Sequence, residues 1–131
     1  YTKEEQKMID ETRKILGDQS LKITATTVRV PVYYGHSESI NVEFNKPVTL
    51  EGVIETLKSA EGVVVMDDVK NGVYPTPLDI ADTDPVYVGR IRLDDSVENG
   101  VNLWVVADNI RKGAATNAVQ IAERIIAKRN K

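Results

Sequence analysis

The chain contains no cysteine, which excludes disulfides, thiolate metal ligands and a cysteine nucleophile within its 131 residues. It contains one histidine, His36, so no site built from several imidazoles can form and no metal site is expected. Cationic excess is absent too. Lys plus Arg number 17 against 20 Asp plus Glu, and a net charge of -3 exerts no general pull on nucleic acid. No apolar run approaches the roughly 20 residues that span a bilayer, and no signal-peptide pattern opens the chain. Internal repeats, low-complexity tracts and linkers rich in Pro, Gly or Ser are missing. So are a Walker A loop, a G-x-G-x-x-G segment after a strand and an EF-hand loop, which removes the familiar phosphate cradles. What is present is one domain's length of chain, 41% hydrophobic and 28% charged. It reads as a single compact unit over residues 1–131, soluble and cytoplasmic, with neither nucleic acid nor membrane as partner. The start at Tyr1 rather than Met reads as a domain excised or processed from something longer.

Periodicity outlines the elements. From Thr2 to Leu16, Met8, Ile9, Ile15 and Leu16 recur at helical spacing with Thr12 on the same face, and Gly17 stands at the C-cap. Thr2 with Glu5 three residues on has the form of a capping box. Leu21–Val30 is rich in β-branched residues and predicts a strand that Pro31 interrupts. Ile40, Val42 and Phe44 alternate with Asn41 and Glu43, as in a strand with one apolar face. Thr49 is placed to cap a short helix whose stripe is Leu50, Val53, Ile54 and Leu57. Val63–Met66 predicts a buried strand, Asp67–Asp84 turns, and Val86–Leu93 and Val101–Ala107 two further strands. An Ala-rich helix is expected over 113–128, with Lys128, Arg129 and Lys131 at its cationic end. The order predicts an α+β fold, a mixed, mainly antiparallel sheet with helices packed on one face.

Four places hold side chains suited to chemistry. Arg29 lies in the apolar run before Pro31, where a cation is expensive unless paired, and its planar fork suits a carboxylate. His36 follows Gly35 at the start of the next strand, at a place where an imidazole can transfer protons. Glu4 and Lys7 are neighbours on one helix face. The polar turn Asp108–Ala115, at a helix N-terminus, can meet an amide or an anion. Each also has a plain structural reading: a surface histidine, a salt-bridged strand arginine, a solvated i,i+3 pair, an ordinary cap. Spacing leaves both readings open.

A wider pattern favours the first set. Residues 4–8 (EEQKM), 11–16 (ETRKIL), the Arg29-to-His36 segment continuing through 37–44 (SESINVEF), 73–78 (VYPTPL), 88–92 (VGRIR) and 102–123 (NLWVVADNIRKGAATNAVQIAE) together resemble the C-terminal part of the aspartate-β-semialdehyde dehydrogenase family. The resemblance runs over nearly the whole chain. It implies a substrate-binding and dimerisation domain of the glyceraldehyde-3-phosphate-dehydrogenase-like kind, working as a homodimer. It places the family's acid/base histidine on His36 and the arginine that clamps the substrate α-carboxylate on Arg29. The substrate's ammonium falls to Glu4, with Glu5 adjacent as an alternative, and its phosphate to Lys7. Asn109 matches a position near the nicotinamide.

The implied reaction is NADPH-dependent reduction of aspartyl phosphate to aspartate semialdehyde and phosphate, in lysine, threonine and methionine biosynthesis. The family's nucleophile is a cysteine and its NADP is bound mainly by another, Gly-rich domain; this sequence contains neither, so the chain by itself is expected to be inactive. N-acetyl-glutamyl-phosphate reductase shares the chemistry, and a stand-alone, non-catalytic dimerisation module is the reading from another class.

Overall fold

The computed structural model describes residues 1–130, which form two compact units, Tyr1–Pro31 and Val32 onward. The first is built on helix α1, Lys3–Leu16. The expected capping box is formed: the Thr2 hydroxyl accepts from Glu5 N, and the Glu5 carboxylate accepts from Thr2 N. Gly17 ends the helix at φ 67°, and the N–H groups of Gly17 and Asp18 return to Lys14 and Arg13 carbonyls. No atom lies within 4 Å of a Cβ built on Gly17, so a side chain there meets only the cost of left-handed backbone. Gly17→Ala should therefore lower stability by about 1 kcal/mol in denaturant titration; an unchanged midpoint would mean that the cap does not hold the helix end. Of the apolar stripe only Ile9 is buried, and Met8, Ile15 and Leu16 stand exposed.

Residues 21–30 correct the expectation of a strand. They form no strand pairing among the described residues, and Arg29 is exposed rather than held in an apolar strand. The β-branched run reports a preference for extended backbone, but a strand also needs a neighbour to receive its hydrogen bonds, and none is supplied. Leu21, Ile23, Ala25 and Thr27 still alternate in burial with their exposed neighbours.

The second unit carries the sheet. Its elements are β1 (His36–Glu43), α2 (Leu50–Ser59), β2 (Val63–Val65), α3 (Pro77–Ile80), β3 (Val86–Asp94), β4 (Gly100–Ala107) and α4 (Thr116–Arg129). The strand order is β1-β4-β3-β2, antiparallel at the first two junctions and parallel at β3-β2. This is the mixed, mainly antiparallel sheet of an α+β fold. The β3–β4 hairpin closes through Asp94, whose carboxylate accepts from Ser96 N and its hydroxyl. The registers Ile40↔Leu103, Val42↔Val101 and Val88↔Val105 put these apolar side chains on one face. Val88, Ile91, Val101, Val106 and Ile80 form the core, with α2 against β2 and β3, and α3 against β4.

β3 carries a bulge between Gly89 and Arg92, with Arg90 at φ 52°. The Asp67 carboxylate accepts from Ile91 N at 2.9 Å and supplies the rung the bulge removes. The edge strand β2 is half-buried rather than buried, and Val64 faces outward. Within the expected turns lies α3, a single helical turn started by a Thr76–Asp79 capping box with Pro77 in its first turn. The last helix begins at Thr116, not at Gly113. Lys112 is extended, Gly113 has φ 90° and Ala114 is also non-helical, so the chain must turn before the helix can propagate. No described helix is long and apolar enough to cross a membrane.

Candidate functional site

His36 is the first residue of β1 and pairs with Ala107, the last residue of β4. The ladder stops there because Gly35 takes φ 88° and turns its N–H out of the strand direction. That N–H donates instead to the side-chain Oδ1 of Asn109, at 3.1 Å. Gly35 is closely surrounded: a Cβ there would lie 3.3 Å from the Ala107 carbonyl oxygen and 3.4 Å from Pro77. The His36 side chain itself is exposed.

The turn after β4 is held by Asp108, named in the sequence only as the first residue of a polar turn. Asp108 is only 2% exposed. Its Oδ2 accepts from Asp82 N at 3.0 Å and its Oδ1 from Ile110 N at 2.9 Å, while its carbonyl accepts from Lys112 N at 2.8 Å. The Asp82 N–H leads in holding the Asp108 carboxyl below the usual carboxylate range, with the N–H groups of Ile110 and Arg111 acting in the same sense against burial. Farther along, the Arg111 Nε and the Thr116 hydroxyl both donate to Asp84 Oδ1, at 2.8 and 2.9 Å. They lower the Asp84 pKa, Arg111 first, and Asp84 raises that of Arg111. The one signal in the sequence was an acidic residue directly after an apolar strand.

In the first unit the two glutamates divide. Both oxygens of Glu5 are engaged, Oε2 by Thr2 N at 2.7 Å and Oε1 by Thr27 N at 2.9 Å. The Thr2 N–H, then that of Thr27, draw its pKa down. Glu4 is exposed and only approaches Lys7, with Nζ 4.0 Å from Oε2. Arg29 makes no hydrogen bond or ion pair among the described residues and is exposed. Thus Arg29, Glu4 and Lys7 lie in one unit, while His36 and Asn109 are brought together in the other.

The lowered carboxylates carry a pH signature. Asp108, Asp84 and Glu5 all have folded-state pKa values below their ordinary ones. The unfolded chain then binds more protons as acid is added, so stability is full above the ordinary carboxylate range and is lost as pH falls through it. Denaturant midpoints should be level from about pH 7 to pH 5 and fall below about pH 4. A midpoint rising on acidification would contradict these assignments.

The family model for the semialdehyde dehydrogenase, dimerisation domain, matches residues 1–112. The chain belongs to that family. It is 57% identical over 126 residues to the aspartate-semialdehyde dehydrogenase of Aquifex aeolicus, covering 96% of this chain and 37% of that protein. Against the Legionella pneumophila enzyme it is 56% identical over 124 residues, covering 94% and 36%. Among solved structures, aspartate semialdehyde dehydrogenase II from Vibrio cholerae, complexed with ASA, superposes with a TM-score of 0.83 at 49% identity. That match covers 97% of this chain and 37% of the other. The dimerisation domain thus spans a little over a third of the relatives it matches.

The described residues of this domain do not by themselves fit a dinucleotide. The sequence has no glycine-rich phosphate loop after a strand, and the amide oxygen of Asn109 already accepts from the Gly35 N–H.

Proposed function

We propose that the chain is the substrate-binding and dimerisation part of an NADP-dependent aspartate-semialdehyde dehydrogenase, a cytoplasmic homodimer that interconverts aspartyl phosphate and aspartate semialdehyde. One observation carries the reading. The side chains placed in family roles are exposed: among the described residues Arg29 and His36 make no side-chain hydrogen bond or ion pair, and Glu4 and Lys7 meet only each other, whereas Glu5 and Asp108 are consumed by backbone N–H groups.

In this reading Arg29 holds the substrate carboxylate through two parallel hydrogen bonds. Glu4 meets the ammonium, a role Glu5 cannot take without giving up the helix cap. Lys7 provides a point charge for the phosphate. His36 moves the proton, and Asn109 stands on the cofactor side with its amide nitrogen. NADP, bound mainly by other parts of the whole protein, supplies the hydride chemistry. The chain's own share is positioning and electrostatics.

The purified chain should show no turnover of aspartate semialdehyde with phosphate and NADP, since it has no cysteine nucleophile. Light scattering should give a mass near twice 14.5 kDa. Turnover by the chain alone, or a clean monomer, would oppose the respective half of the proposal.

A further inference from the structure

The β1–β4 ladder runs from Glu43↔Gly100 to His36↔Ala107, and the next pair in register would be Gly35 with Asp108. That rung is not made by backbone. Gly35 is left-handed, and its N–H reaches past Asp108 to the side chain of Asn109. The group facing an N–H donor must be the amide oxygen, so the orientation of the Asn109 carboxamide is set by chemistry. Asn109 is held in turn, because the buried Asp108 before it grips the backbone N–H groups of Asp82 and Ile110. On the inner side Pro77 and Ile80 close around Gly35, so the chain entering β1 cannot shift inward.

We infer that Asn109 is a positioning residue for His36, fixing through Gly35 the point at which the histidine leaves the sheet. The inference rests on the proposed role of His36 as the proton-transfer group. A reacting imidazole gains from being held to within about 0.5 Å, and a misplacement of about 1 Å costs on the order of 100-fold in rate. Asn109 achieves this with one side-chain oxygen acting as an extra ladder rung. Its Nδ2 is left for another partner, so the amide carries separate tasks on its two ends.

The test pairs Asn109→Ala with Asn109→Asp, since the aspartate keeps an acceptor oxygen for Gly35 and the alanine does not. In the 131-residue chain, amide exchange followed by NMR should accelerate at Gly35 about tenfold or more in the alanine variant and return toward the original rate in the aspartate variant. Amides of Val88 and Val106 should keep their rates in both. In the whole enzyme, Asn109→Ala should lower kcat by about 10- to 100-fold. KM for semialdehyde should stay within about threefold.

An unchanged Gly35 rate in Asn109→Ala, or acceleration spread through β4, would overturn the positioning role. A raised NADP KM with unaltered kcat would overturn it as well. If the unsubstituted whole enzyme has no semialdehyde activity, the functional proposal fails, whereas the exchange data still decide whether Asn109 fixes the entry to His36.

Discussion

Replacing His36 with glutamine in the whole enzyme is expected to lower kcat by about 10²- to 10⁴-fold, the span that a positioned general acid or base contributes. Glutamine keeps a polar side chain at the exposed head of β1 but cannot exchange a proton near neutral pH. Substrate KM should change little, because the proposal gives substrate binding to residues of α1 and to Arg29. The companion change Arg29→Lys should behave oppositely. It raises substrate KM and lowers kcat/KM, since an ammonium cannot reproduce a two-pronged grip on a carboxylate. Steady-state kinetics with both variants separates the roles. If His36→Gln changed KM and left kcat intact, or Arg29→Lys left KM and kcat/KM unchanged, the corresponding role would be wrong.

The second large effect concerns the fold. Gly89→Ala should destabilise the second unit by about 3 kcal/mol, with a drop in Tm on the order of 10 °C. Gly89 stands at the start of the β3 bulge, opposite Trp104. A Cβ there would lie 2.4 Å from the Met66 carbonyl oxygen and 2.6 Å from Pro75 Cδ. Neither neighbour is free to yield. Met66 N donates to Val88 O at 2.9 Å, and the Pro75 carbonyl accepts the indole N–H of Trp104 at 2.9 Å. Relief of the clash must therefore break a rung or release the sole tryptophan. Thermal unfolding with Trp104 fluorescence reads both, and a variant within about 0.5 kcal/mol of the original would show that this close approach is not required.

How legible all this was in the sequence depended on the range of the interaction. The Thr2–Glu5 capping box, the Gly17 stop and the Thr49 cap are formed as read, because each involves groups within a few residues of one another. The alternation around Ile40 and Val42 likewise marks a real strand, since the solvent-facing side of β1 repeats every second residue. Residues 21–30 failed because their composition expresses local backbone preference while strand pairing is decided elsewhere. The helix expected from Gly113 starts three residues late because an Ala-rich run says nothing about a left-handed glycine ahead of it. α3 hid among prolines that read as turns, although Thr76 and Asp79 stood at capping-box spacing.

The site was legible in a different way. No spacing rule singles out Arg29 or His36; the family resemblance did, and the family match over residues 1–112 supports that resemblance. What the structure adds is exclusion and linkage. Glu5 is occupied, which supports the proposal of Glu4 as the site carboxylate, and Asn109 is tied to Gly35 by a hydrogen bond that joins residues 74 positions apart. Asp108, which anchors that turn, has no signature beyond being an acidic residue after an apolar strand.

The measurement that bears most directly on the central proposal is phosphate-dependent oxidation of aspartate semialdehyde with NADP by the whole enzyme, run beside N-acetyl-glutamate semialdehyde. The account predicts turnover of the aspartate compound, with kcat/KM at least about 100-fold above that for the acetylated one, since an acylated nitrogen offers Glu4 no ammonium to meet. Preference for the acetylated substrate, or no turnover of either, would contradict it.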